Sequence, residues 1–73
     1  MSKRSVTIRG HRTSYSVEDE FYDALVAIAA QEGKPLARLI MRIDTNRREG
    51  QNLSSAIRLF VLARLQEGST PGH

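Results

Sequence analysis

The stretch that decides the fold is Arg12-Thr13-Ser14-Tyr15-Ser16-Val17, which runs directly into Glu18-Asp19-Glu20. In an extended chain, alternate side chains lie on opposite faces. One face suits burial and carries Thr13, Tyr15 and Val17. The other face carries a cation and two small hydroxyls, from Arg12, Ser14 and Ser16. A single strand of this length is not stable alone, so we expect a second copy of the chain to supply its partner strand.

Length and composition limit what the chain can be. Its 73 residues, net charge of +3 and lack of cysteine predict one small domain, 1–73, without disulfides or thiolate metal sites. So small a core favours oligomerisation. His11 and His73 have no ligand-like spacing with acids, and we expect no metal or cofactor. No apolar run suits a membrane span or a secretion signal, which predicts a cytoplasmic protein.

The distribution of charge points to a polyanion. Residues 1–17 hold four bases and no acid, residues 18–23 hold four acids and no base, and residues 34–48 hold five bases against Asp44 alone. Two basic segments separated by one acidic cluster favour a surface that binds a polyanion. The alternative interpretation is ordinary solvated charge.

The N-terminal part alternates as strands do. Residues 1–4 are predicted to form a flexible basic tail, and residues 5–9 and 12–17 to form two strands. Gly10 interrupts the alternation as a turn or bulge glycine would. The sequence leaves open whether the two segments form a hairpin or one long strand bent at Gly10.

Three helices are predicted over residues 18–32, 35–47 and 52–66, each from an apolar stripe at helical spacing. Ser16 with Asp19 predicts a cap for the first helix, and Asn52 or Ser54 a cap for the third. The stripes consist of Phe21, Ala24, Leu25, Ile28 and Ala29; Leu36, Leu39, Ile40 and Ile43; and Leu53, Ala56, Ile57, Phe60 and Val61. Leu59, Leu62 and Leu65 lie off the last stripe, so we expect a second subunit to cover the third helix. Residues 68–73 are predicted to be a disordered tail.

Residues 12–44 resemble the ribbon-helix-helix family in the order of strand, acidic helix start, amphipathic helix, glycine turn and second helix. The opening residues 3–14 also resemble small bacterial members of that family. The resemblance implies a mainly α fold with a short N-terminal β ribbon, in an intertwined homodimer, here with an extra C-terminal helix. It also implies that one strand from each chain forms a ribbon that enters the DNA major groove.

For this sequence, the resemblance implies that the outward residues Arg12, Ser14 and Ser16 face the edges of the DNA bases. Lys3, Arg4 and Arg9 are expected to contact DNA from the N-terminal segment. Lys34, Leu36, Ala37 and Arg38 are expected to contact it from the start of the second helix, where backbone amides bind phosphate. Pro35 removes one amide donor there. In a rival register, residues 5–9 form the ribbon and Ser5, Thr7 and Arg9 point outward.

The expected function is therefore sequence-specific DNA binding by a homodimeric transcriptional regulator. The alternative is an adaptor or antitoxin-like module that binds a partner protein through helix 52–66. An enzyme is not expected, because the sequence offers no nucleophile–base pair, metal constellation or phosphate loop.

Overall fold

A computed structural model describes residues 2–68 and shows a β hairpin followed by three helices. Strands β1 (Ser2–Ile8) and β2 (His11–Val17) precede α1 (Asp19–Glu32), α2 (Leu36–Thr45) and α3 (Leu53–Gly68). The predicted fold class, mainly α with a short N-terminal β ribbon and a third helix, is confirmed. Gly68 ends α3, and the rest of the predicted C-terminal tail lies outside the described residues.

The two strands form an antiparallel hairpin, which answers the question that the sequence left open. Arg9 and Gly10 both have positive φ, 51° and 80°, as a two-residue type I′ turn requires. The pairing extends to the start of β1, where Lys3 lies opposite Ser16 and Arg4 opposite Tyr15. The predicted flexible tail is therefore wrong for residues 2–4, because cross-strand partners hold them in the sheet.

The partner strand of β2 comes from its own chain. Every residue of β2 has a partner in β1, from Ile8 opposite His11 to Ser2 opposite Val17. The expectation that a second copy supplies this strand is corrected in this respect. One chain thus contains a complete two-stranded ribbon, whatever the oligomeric state.

The ends of the helices follow local chemistry, with one exception. Gly33 ends α1 at φ 69°, and its N–H donates to the Ala30 carbonyl. Asn52 caps α3, because its Oδ1 accepts a 2.8 Å hydrogen bond from the Ser55 N–H. The predicted Ser16 cap is wrong, since Ser16 belongs to β2 and Glu18 precedes α1 without a side-chain capping bond. Helix α2 ends at Thr45, two residues before the predicted end.

The apolar stripes of all three helices meet the inward face of the hairpin in one core. Its buried members are Val6, Ile8, Tyr15, Val17, Leu25, Ile28, Ala29, Leu39, Ile40, Ile43, Leu53, Ala56, Ile57 and Val61. Phe21 and Phe60, both assigned to stripes, are only partly buried at the border of this core. The helical registers of the sequence analysis therefore hold, with the aromatic rings displaced to the edge.

One carboxylate joins the three helices. Glu32, the last residue of α1, accepts two hydrogen bonds from the Arg42 guanidinium, of 3.1 and 3.2 Å. It also accepts one of 2.7 Å from Arg64 on α3. The bonds from Arg42 and then Arg64 lower the pKa of Glu32 from 4.5 to about 2. Because its partners come from α2 and α3, this side chain fixes the C-terminal end of α1 against both.

Candidate nucleic-acid interface

The outward face of the hairpin is a continuous polar surface built by both strands. Its residues alternate with the core residues and are cross-strand partners: Lys3 with Ser16, Ser5 with Ser14, and Thr7 with Arg12. All are exposed except Ser16, which is half-buried. From the sequence alone, either residues 12–17 or residues 5–9 can form the ribbon. The hairpin brings Arg12, Ser14 and Ser16 together with Ser5 and Thr7 on one surface, which we call the outward face.

The two cations of the outward face have no carboxylate partner within residues 2–68. Most other cations of the described chain do: Arg4 pairs with Asp19, Arg9 and Arg47 with Asp44, Arg58 with Glu18, and Lys34, Arg42 and Arg64 with Glu32. Lys3 and Arg12 are absent from these pairs, and the outward face contains no acid. The acidic cluster at the start of α1 is thus partly neutralised by the chain's own arginines, and the outward face stays positive.

Arg4 lies on the opposite side of the sheet from Lys3 and Arg12. Its guanidinium carbon is 3.5 Å from the centroid of the Tyr22 ring, and its Nη2 is 3.8 Å from Asp19. The alternation of the strand directs this side chain towards α1, where it stacks on an aromatic face. The structure therefore separates Arg4 from the other expected contact residues.

Arg9 stands in the hairpin turn and connects it to the end of α2. Its guanidinium donates a hydrogen bond to the Thr45 hydroxyl and lies 3.9 Å from Asp44. Asp44 also pairs with Arg47 at 2.9 Å. Arg9 is consequently not on the outward face. Its side chain is held by Thr45 and Asp44, although more than half of it is exposed.

The expected contacts at the start of α2 are exposed but distant from the hairpin turn. Ala37, Arg38 and Lys34 are exposed, and Leu36 is half-buried. Since Arg9 contacts the last residue of α2, the first turn lies a helix length away, about 15 Å for ten residues. Within one chain, the structure does not bring these residues next to the hairpin turn.

Ser54 and Arg58 on α3 hold the end of β2, a role that the sequence did not predict for either residue. The Ser54 hydroxyl accepts a 2.9 Å hydrogen bond from the Ser16 N–H, and Arg58 donates to the Ser16 carbonyl at 3.3 Å. Arg58 also donates to Glu18 at 2.9 Å, and this bond lowers the pKa of that carboxyl. Both polar backbone groups of Ser16 are therefore taken by α3. No local pattern signals contacts between residues so far apart in sequence.

These features define a small β-ribbon protein with three helices, whose polar ribbon face carries unpaired cations. The family model described as "Ribbon-helix-helix domain" matches residues 1–65, so the chain belongs to the ribbon-helix-helix family. No curated protein and no solved structure matches the chain. Members of this family generally bind DNA, typically as dimers, and act as transcriptional regulators or antitoxins. Over residues 2–68, no helix is long and apolar enough to cross a membrane.

Proposed function

We propose that this protein is a sequence-specific DNA-binding homodimer that regulates transcription in a bacterial cytoplasm. The observation that carries the proposal is the outward face, where Lys3 and Arg12 have no carboxylate partner and are surrounded by small hydroxyl side chains. Such a surface attracts phosphates and presents donors and acceptors to base edges. A two-stranded ribbon also has the width that the major groove admits.

Each part of the surface has its own role in this proposal. Arg12 makes the specific contact, because a guanidinium bonds guanine O6 and N7 through two donors. Ser5, Thr7, Ser14 and Ser16 supply adaptable hydrogen bonds to neighbouring bases. Lys3 contacts a phosphate beside the ribbon.

The start of α2 serves the DNA backbone rather than the bases. The amides of Leu36 and Ala37, with the cations of Lys34 and Arg38, bind a phosphate there. Arg9 stands in the hairpin turn, at the end of the outward face, and contributes its charge. Arg4 has no DNA contact in this proposal, because its guanidinium lies over Tyr22 on the other side of the sheet.

The test is binding to duplex DNA over a salt series, with a site selected from random duplexes and a scrambled duplex of equal length. We expect the logarithm of affinity to fall steeply with the logarithm of salt concentration, and the selected site to bind more tightly. A variant with Lys3→Gln and Arg12→Gln should lose most of this binding. A control variant with Arg48→Gln removes one exposed cation of the α2–α3 loop and should keep most of the binding; Arg12→Gln alone, which removes the same single charge, should weaken it.

A protein-binding adaptor or antitoxin-like module is the competing function, and the exposed leucines of α3 favour it. It predicts a tight protein partner and no retention on DNA. Failure of the wild-type protein to bind any selected duplex, at low salt, would replace the DNA proposal with this one.

A further inference from the structure

A cleft lies between the end of α2, the loop that follows it and one side of α3. Its volume of about 320 Å³ is at the lower end of the range of small-molecule sites. One wall is cationic and the other is apolar, and none of its lining residues within 2–68 is an acid. We call it the arginine cleft, and the residues that define its two walls are Arg42, Arg47 and Arg48, and Ile43, Leu59 and Phe60.

Arg48 is the cation of the arginine cleft that remains available to a ligand. Arg42 donates hydrogen bonds of 3.1 and 3.2 Å to Glu32. Arg47 donates one of 2.9 Å to Asp44. Arg48 is exposed, and its side chain has no carboxylate partner within residues 2–68. Because a guanidinium binds a carboxylate through two parallel N–H donors, Arg48 offers an anion an unused pair of donors beside two further arginines.

The end of α2 does not prevent an anion from binding there. The carbonyl groups at a helix C-terminus carry about half a negative charge in total. Asn46 donates to the Arg42 carbonyl through both its backbone N–H and its side-chain Nδ2. The Arg47 N–H donates to the Asp44 carbonyl. With these carbonyls bonded, the full charge of Arg48 exceeds the partial charge of the helix end.

The apolar wall suits a flat ring. Phe60 lies at the border of the core and is only partly buried, and Leu59 keeps 55% of its surface exposed. The guanidinium carbon of Arg42 lies 5.8 Å from the centroid of the Phe60 ring. Aromatic rings and guanidinium planes both stack on a flat apolar group. The two walls together therefore match a ligand that has a ring at one end and an anion at the other.

We propose that the arginine cleft binds a small aromatic carboxylate, with its carboxylate on Arg48 and its ring against Phe60 and Leu59. Binding of this ligand is independent of the proposed function. Its effect on DNA, argued next, rests on that function.

Arg47 connects the arginine cleft to the hairpin turn. It also lines the space beside the turn, together with Arg9 and His11. Its partner Asp44 lies 3.9 Å from Arg9, so the cleft and the turn share one carboxylate. A bound carboxylate competes with Asp44 for Arg47, which leaves Asp44 to Arg9 and makes the turn less positive. The ligand should therefore weaken DNA binding, and DNA should weaken ligand binding by the same factor.

Calorimetric titration of the full chain without DNA tests the site, with benzoate and 2-naphthoate as probes. We expect saturable binding of 2-naphthoate with a Kd of about 1 mM or lower. 2-Naphthalenemethanol lacks the charge and acetate lacks the ring, so both should bind about tenfold more weakly or less. The absence of saturable binding for both probes would overturn the proposal. Octanoate binding as tightly as 2-naphthoate would overturn the aromatic class of ligand.

Two matched pairs of variants test the location. Arg48→Gln should weaken 2-naphthoate binding about tenfold, because the unused pair of donors is lost. Arg38→Gln removes an exposed cation at the start of α2 and should not weaken it. Leu59→Gln should weaken binding, whereas Leu62→Gln changes an exposed leucine of the same helix outside the cleft and should not. Circular dichroism checks that all four variants stay folded. Equal effects within either pair would overturn the location.

Binding to the selected duplex with and without 2-naphthoate, at constant ionic strength, tests the connection to the ribbon. A concentration that saturates the wild type should lower its DNA affinity about fivefold or more, and that of Arg48→Gln by less. Unchanged wild-type affinity would overturn the connection through Arg47, while the calorimetry still decides the site. If the wild type binds no selected duplex without ligand, the DNA proposal fails, and saturable 2-naphthoate binding that requires Arg48 still establishes the cleft.

Discussion

The hydroxyl of Ser54 accepts a 2.9 Å hydrogen bond from the backbone N–H of Ser16, thirty-eight residues earlier in the chain. This bond fixes the first turn of α3 against the C-terminal end of β2. It satisfies a backbone donor on the free edge of β2, where an unpaired group would otherwise invite another strand. The third helix is therefore part of the ribbon's support and not an appendage.

Ser54→Ala should lower the free energy of unfolding by about 1 kcal/mol, because the Ser16 N–H loses its acceptor. Ser55→Ala is the control, since both serines lie in the same turn of α3 and alanine favours a helix equally at each. We expect the control to change stability by less than about 0.5 kcal/mol. Urea unfolding measures both; equal values for the two variants would show that the bond contributes nothing.

Glu32→Gln should destabilise the protein at neutral pH, because the amide cannot hold both Arg42 and Arg64. The sign of the pH dependence follows from the lowered pKa. With a pKa reduced from 4.5 to about 2 in the folded chain, the carboxylate stabilises fully above about pH 4.5, and the effect fades as pH falls towards 2. The difference in melting temperature between wild type and variant should therefore shrink over that range. Glu49→Gln, which has no ion pair within residues 2–68, should show no such trend.

Ile40→Ala should cost about 2–5 kcal/mol, because Ile40 is fully buried at the centre of the core. Val26→Ala removes an exposed side chain and should cost less than about 0.5 kcal/mol. Thermal or urea unfolding at one protein concentration gives the comparison. A small effect at Ile40 would mean that α2 packs in another register.

The sequence predicted most of what depends on local periodicity. Residue spacing alone predicts the apolar stripes of α2 and α3. It also predicts the interruption at Gly10 and the alternating faces of residues 12–17. It could not predict features that depend on distant partners. The sequence predicts a basic tail for residues 1–4, because nothing local shows that Lys3 and Arg4 pair with Ser16 and Tyr15. The sequence likewise predicts a helix cap at Ser16, because nothing local shows that its N–H donates to Ser54.

Arg4 shows the same limit at the candidate site. In sequence it belongs to the basic N-terminal segment beside Lys3, and both were expected to contact DNA. The strand alternation sends the two side chains to opposite faces, and Tyr22 and Asp19 determine what Arg4 does. Charge in the sequence groups Arg4 with Lys3, but the fold decides on which face of the sheet each cation lies.

Arg4→Gln should consequently affect folding and leave the salt dependence of DNA binding unchanged. It removes the stacking on Tyr22 and the contact with Asp19, neither of which involves the outward face. Arg38→Gln removes an exposed cation at the start of α2, and should weaken binding to all duplexes and reduce the salt slope by about one unit. Salt titrations of both variants decide between the roles. A reduced salt slope of DNA binding for Arg4→Gln would show that Arg4 contacts DNA.

Arg12→Ala should relax preference at one base pair in each half-site, which distinguishes base reading from general attraction. Arg12 is the one guanidinium on the outward face, opposite Thr7 and without a carboxylate partner in the described chain. A two-donor contact to guanine contributes about 1–3 kcal/mol of discrimination, so the variant should lose roughly 5- to 150-fold in preference for the selected site over a version changed at that pair. Arg12→Lys keeps the charge but loses the planar pair of donors, and should recover affinity for the scrambled duplex without recovering full discrimination. Competition binding at one salt concentration measures these ratios. If Arg12→Ala discriminates as the wild type does, and Thr7→Ala or Ser5→Ala does not, β1 carries the specific contacts and Arg12 serves only the backbone.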